Sequence, residues 1–163
     1  MSMYFIGIDI SKYKHDCCII SAANQKVVSK VIIKNNKAGF NELLTIIHSL
    51  ANPADIRIGF ESTAHYALNL ELFLENSLLT FMEVNPVLIS EYKKSKTLRR
   101  TKTDSVDCES IARWLMTVEY KPHSKGFYHA YSLKSLTRLR DKLIRQRSFY
   151  LVKITNVLDH TFP

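Results

Sequence analysis

YFIGIDISKYKHDCCIISAANQKVVSKVII (residues 4–33) contains three apolar, β-prone runs with only short polar breaks between them. YFIGIDI (4–10) reads as a buried strand, DCCIISA (16–22) as a second and KVVSKVII (26–33) as a third. Asn24 makes the turn between the last two. Strands this close in sequence form an antiparallel meander. Beyond them the period changes to that of a helix. In AGFNELLTIIHSLA (38–51), Phe40, Leu43, Leu44, Ile47 and Leu50 share one face, and Asn52-Pro53 stops the helix. DIRIGF (55–60) reads as a fourth strand, 64–76 as a helix and LTFMEV (79–84) as a fifth strand. Pro86 opens a short helix that ends near a basic run, and a further helix runs from Asp104 to about Val118. After Pro122 a polar loop leads to a long helix from about Ser132 to His160.

The order β-β-β-α-β-α-β-α is that of the ribonuclease-H-like fold. This is an α/β architecture with a mixed sheet flanked by helices, followed here by a long C-terminal helix. In that topology the first strand is central and the fourth lies beside it. Asp9 and Glu61 are therefore expected to come close although 52 positions apart.

With 163 residues the chain is about one domain. A hydrophobic fraction of 46% and a charged fraction of 23% are those of an ordinary globular protein. No apolar run has membrane-spanning length, and MSMYFIGIDIS lacks the basic start of a signal peptide. Cys17, Cys18 and Cys108 form no C-x-x-C, which argues against a disulfide scaffold or a zinc knuckle. Cys17 and Cys18 read as buried strand residues. A cytoplasmic protein that does not engage a membrane is expected.

Charge is unevenly spread. Lys and Arg number 23 against 15 Asp and Glu, a formal +8. KKSKTLRRTK (93–102) has six basic residues and no acid, and Lys134 to Lys153 has seven with Asp141 the one acid. Such clusters are the footprint of a polyanion. Lys93, Lys94, Lys96, Arg99, Arg100 and Lys102, beside the stacking residue Tyr92, are the expected nucleic-acid contacts.

Four carboxylates carry the chemistry. Asp9 in FIGIDIS and Glu61 in RIGFEST each sit near the end of an apolar run. Asp104 and Asp107 lie three residues apart at a helix start, where both can point at one ion. Alone, Asp104 fits an N-cap and Asp107 an acid favoured by the helix dipole. Together with Asp9 and Glu61 they make a hard-oxygen site for Mg²⁺ or Mn²⁺. Two such ions would stabilise the attacking and leaving oxygens of a phosphodiester. His65, Ser11 and Lys12 lie nearby in sequence, with weaker claims on metal or phosphate.

GIDIS with Asp9, GFESTAHY with Glu61, and TDSVDCESIA with Asp104 and Asp107 together resemble the DEDD transposases of bacterial insertion sequences. These are relatives of the pilin-gene-inverting recombinase, and their N-terminal domain is RuvC-like. NPVLISEYKKSKTLRRTKTD resembles the family's approach to the last two aspartates. The resemblance spans residues 3 to about 160 and implies that the four acids are the catalytic, metal-binding tetrad. It implies DNA strand cleavage and transfer, a C-terminal domain with a nucleophilic serine, and in some members a structured guide RNA. Residues 1–122 would then be the catalytic domain and 123–163 a loop and the start of a helical arm. Nothing matches the serine domain, so the chain reads as a fragment that is inactive alone.

In that arm Leu136, Leu143, Tyr150 and Val157 recur every seven residues, so a homo-oligomer through a coiled coil is expected. Arg140 and Arg147 interrupt the pattern, and a single amphipathic helix lying on the domain is the alternative. Two other functions fit less of the sequence. A non-catalytic nucleic-acid-binding module explains the charge but not the acids. An actin-like or sugar-kinase ATP-binding fold needs Gly-rich phosphate turns, whereas Ser11-Lys12-Tyr13-Lys14 follows the first strand and the chain has four glycines.

Overall fold

A computed structural model of the chain describes residues 3–61, 66–96, 104–123 and 127–162; at 96, 104, 105, 127–132 and 134 it describes the backbone alone. The described residues divide between two units, Met1–His123 and Ser124–Pro163.

In the first unit, β1 (Tyr4–Ile10), β2 (Lys14–Ser21) and β3 (Val27–Lys34) form the meander, and α1 (Lys37–Leu50) follows. Then come β4 (Ile56–Glu61), α2 (Leu68–Asn76), β5 (Phe81–Val84), α3 (Pro86–Lys96) and α4 (Asp104–Leu115). Among the described residues the sheet has the order β3-β2-β1-β4-β5, with β1 at its centre. β1 pairs antiparallel with β2 and parallel with β4. This is the ribonuclease-H-like arrangement expected from the strand order.

Several boundaries differ from the sequence reading, among them that α2 begins at Leu68 and β5 at Phe81. β2 begins at Lys14, because the Ser11 hydroxyl donates to the Lys14 carbonyl (2.5 Å) and closes a tight turn that pairs Ile10 with His15. Pairing with the central strand overrides the polar character of Lys14 and His15. α4 ends at Leu115, where Met116 and Thr117 make i→i−3 bonds that tighten the last turn.

The strand alternation sorts the side chains onto two faces. Ile6, Ile8, Ile58, Phe60, Cys17 and Ile19 are buried on the face shared with α1 and α2, where His15 stacks on Phe40 and Phe40 on Phe73. α1 starts cleanly because the Asn36 side chain accepts from Gly39 N–H. The other face of the sheet carries Phe5, Gly7, Cys18 and Ile20 and is covered by α4 through Cys108, Ile111, Ala112, Trp114 and Leu115. A Cβ at Gly7 would run into the Cys108 carbonyl and the Ala112 backbone. Glycine is required there by close backbone approach. At Gly59 an added Cβ would meet only the Leu115 side chain, at 2.7 Å.

α4 is also tied at its flank. Glu109 pairs with Lys30 of β3 (2.8 Å) and with Arg113 one turn on (2.8 Å). The Lys30 hydrogen bond holds the Glu109 carboxyl below its ordinary range against the opposing effect of burial, with Arg113 assisting.

The second unit contains α5 (Phe127–Thr161). It starts five residues before the Ser132 expected from periodicity. FYHAY has no proline or glycine to keep it from extending the helix. Leu136, Leu143, Tyr150 and Val157 are all more than half exposed along it. Among the described residues no helix is long and apolar enough to cross a membrane.

Replacing Gly7 by Ala forces α4 off the sheet and is expected to destabilise the unit by about 1–3 kcal/mol, as overpacking does. Gly59→Ala is expected to cost less, because a side chain yields more readily than backbone. Urea melts of the two variants test the order. His15 gives a second expectation. Burial lowers its pKa from the ordinary 6.5, with Asn35, the Lys14 backbone and Asp16 pulling weakly back. The folded state keeps the ring neutral while the unfolded chain takes up a proton. Stability is therefore full above 6.5 and declines as pH falls below it. Melting temperatures across this range should flatten in His15→Phe, which keeps the stack on Phe40.

Candidate active site

The parallel pairing of β1 with β4 runs to Ile8 opposite Phe60. Asp9 and Glu61 are the next residues on the two strands. They lie on neighbouring strands, about 5 Å apart in backbone. By alternation both share the face of Gly7 and Gly59, which is the α4 face. Both are half-buried.

α4 brings the other two acids to this end of the sheet. Cys108 and Ala112 lie over Gly7, and Asp104 is one turn before Cys108. The backbone of Asp104 is thus at the N-terminal end of the helix, beyond Gly7 toward Asp9; its side chain lies outside the described residues. Asp107 is half-buried and accepts a hydrogen bond from Lys93 Nζ of α3 at 2.9 Å. The contact follows from packing. Ile89 of α3 and Ile111 of α4 belong to one buried cluster. One turn along α3 from Ile89 is Lys93, and one turn back along α4 from Ile111 is Asp107.

Glu61 feels both members of that pair. Burial raises its carboxyl above the ordinary range, Lys93 draws it back down, and the Asp107 charge adds to the rise. Glu61, Asp107 and Lys93 therefore form one electrostatic group at the strand ends, with two carboxylates against one ammonium. Carboxylate oxygens are the hard donors that a divalent cation such as Mg²⁺ takes. Among the described residues no three His, Cys, Asp or Glu side chains gather as a metal-ligating group.

Two features were not read from the sequence. Asp16 of β2 lies directly opposite Asp9 in the register, so a fifth acid faces α4. Like charges directly opposed across strands repel. Lys14 offsets Asp16 at 3.4 Å. The signal was the hairpin register, which is lost if β2 is begun at Asp16. The second feature is the Lys93–Asp107 pair, for which one lysine in a basic run gives no local signal. Cys18 and Cys108 are buried and hydrogen-bond to each other between the sheet and α4, beside the carboxylates.

Of the expected nucleic-acid contacts, Lys94 is exposed on α3 and Lys93 is turned inward to Asp107. Arg99, Arg100 and Lys102 lie outside the described residues, as do His65 and the Lys96 side chain. Tyr92 is half-buried and packs against the cluster under α4. Ser11 is occupied in closing the β1–β2 turn, and the Lys12 ammonium sits over the Tyr13 ring at 4.9 Å.

The fold is similar to two structures of the Thermus thermophilus RuvC protein, one of them in complex with Holliday junction substrate. Each is superposed with a TM-score of 0.52 and 11% identity over 74% of this chain, covering 99% and 100% of the RuvC chains. In sequence the chain is 33% identical over 115 residues to the pilin gene-inverting proteins of Moraxella bovis and Moraxella lacunata. That match covers 70% of this chain and 34% of theirs, so the chain spans about a third of the length of these relatives. A family model described as a transposase, for the DEDD transposases of the IS110 type, matches residues 6–163. Family match, curated relatives and fold agree, and the chain belongs to the IS110-type DEDD transposase family.

Proposed function

We propose that this chain is the catalytic half of a transposase or recombinase that cuts and transfers DNA strands at a metal-dependent site. Asp9, Glu61, Asp104 and Asp107 are the ligands in this reading. The observation that carries it is the meeting of Asp9 and Glu61, on adjacent parallel strand ends, with the helix that brings Asp107 into electrostatic contact with Glu61. Mg²⁺ or Mn²⁺ bound there would stabilise the charge that develops on the attacking and leaving oxygens. The protein's own part in this reading would be to present these carboxylates from a sheet and a helix. The sheet fixes Asp9 and Glu61 by register, and the Gly7 contact fixes the helix bearing the other pair.

Around this site Lys94, Lys96, Arg99, Arg100 and Lys102 would hold the phosphate backbone. The basic stretch runs directly into Asp104, so the bound strand would lie at the rim of the site. DNA is the proposed substrate, and a structured guide RNA is a further possible polyanion for the same charge. α5 would join two copies through its seven-residue apolar repeat, and the serine nucleophile would come from a domain outside this chain. A cytoplasmic setting fits Cys17, Cys18 and Cys108, which are buried and form no disulfide among the described residues. A purely binding module would leave the carboxylates without a purpose.

In the full-length protein, Asp9→Asn and Asp107→Asn are each expected to keep the fold and lose strand cleavage. The loss should be on the order of a thousandfold, the rate equivalent of several kcal/mol of transition-state charge stabilisation. Cleavage of labelled element ends by a folded Asp9→Asn variant at the wild-type rate would refute the site. Changing Arg99 and Arg100 to Ala is expected to weaken DNA binding regardless of sequence and to flatten its salt dependence by about one to two units. Titrations at several salt concentrations measure that slope.

A further inference from the structure

Lys93 differs from its basic neighbours. Lys94 is exposed, whereas the Lys93 side chain is only 29% exposed and its ammonium reaches Asp107, itself 19% exposed. The ammonium also acts on Glu61. It is placed by the same α3–α4 packing that sets Asp107, one turn from Ile89 on its own helix. A surface cation waiting for phosphate has no reason to be directed inward at carboxylates.

We propose that Lys93 is the built-in counterion of the carboxylate site, a positioning residue that holds Asp107 near Glu61 and must withdraw when a divalent cation enters. The inference rests on the reading of the four acids as a metal site. Among the described side chains, the Glu61 and Asp107 carboxylates face the Lys93 ammonium, and Asp9 ends the neighbouring strand. A doubly charged ion therefore gains more from the site than lysine does. Lysine and metal compete because both need the same Asp107 oxygens, and their like charges repel at contact distance. Lysine suits the role better than arginine, since a compact ammonium on a flexible stem can leave, whereas a guanidinium fork clamps a carboxylate through two bonds. Lys93 would then become available to a phosphate oxygen only once metal is bound.

The test is calorimetric titration of Mn²⁺ into the full-length protein, paired with thermal melts in EDTA and in saturating Mn²⁺. Lys93→Met is expected to bind Mn²⁺ at least about tenfold more tightly, because the ion no longer has to displace an ammonium from Asp107. It is also expected to melt at lower temperature than wild type in EDTA and to recover in Mn²⁺. Folding of this variant only with Mn²⁺ present would likewise support the proposal. Lys93→Arg keeps the charge, so its affinity is expected to be no higher than wild type. An unchanged or weaker affinity in Lys93→Met, or a tighter one in Lys93→Arg, overturns the counterion. Asp107→Asn separates the two levels. If it binds Mn²⁺ as wild type does, the metal-site reading itself fails. If it loses binding while Lys93→Met is unchanged, the counterion alone fails. Absence of binding in wild type and Lys93→Met alike overturns both.

Discussion

The contact between Gly7 and the backbone of α4 is the constraint on which the rest of this unit depends. A helix normally stands off a sheet by the length of the side chains between them. Here one missing Cβ on the central strand lets the Cys108 carbonyl and the Ala112 backbone approach the strand itself. That sets the height of the helix, and the pairing of Glu109 with Lys30 limits its swing. Asp107 is held in place because the helix is seated on the strand at Cys108 and Ala112.

The same contact decides the electrostatics. Several acids on one face of a sheet repel one another and would be driven apart by a looser fold. The close seat of α4 holds them together, and the structure offsets the repulsion locally. Lys14 meets Asp16, and Lys93 meets Asp107 within reach of Glu61. At Glu61 burial raises the carboxyl, the Lys93 ammonium draws it back down and the Asp107 charge adds to the rise.

The second unit follows different physics. α5 buries no apolar stripe among the described residues, although Leu136, Leu143, Tyr150 and Val157 recur along it. In proteins most helical stability comes from packing of such a stripe rather than from propensity. Its neighbours at Arg138, Arg140, Arg145 and Arg147 give it strong positive charge as well.

The sequence by itself determined the order and kind of the elements, because these rest on local periodicity. The three β-prone runs before Lys34, the helical spacing of Phe40 to Leu50 and the stop at Asn52-Pro53 all act within a few residues. It also determined which strand ends carry acid, since Asp9 and Glu61 close their own apolar runs. Strand order followed from topology rules that leave few alternatives for a meander and two crossovers. Tertiary structure alone decided the contacts between residues distant in the chain. Lys93 is one cation in a run of six until α3 packs on α4 and turns it toward Asp107. Asp16 is one polar residue at the start of a strand until the tight Ser11 turn sets the register and faces it across from Asp9. Gly7 looks like any strand glycine until a helix a hundred residues later needs the space its side chain would have filled. Each of these depends on register and packing distance, which no local pattern encodes.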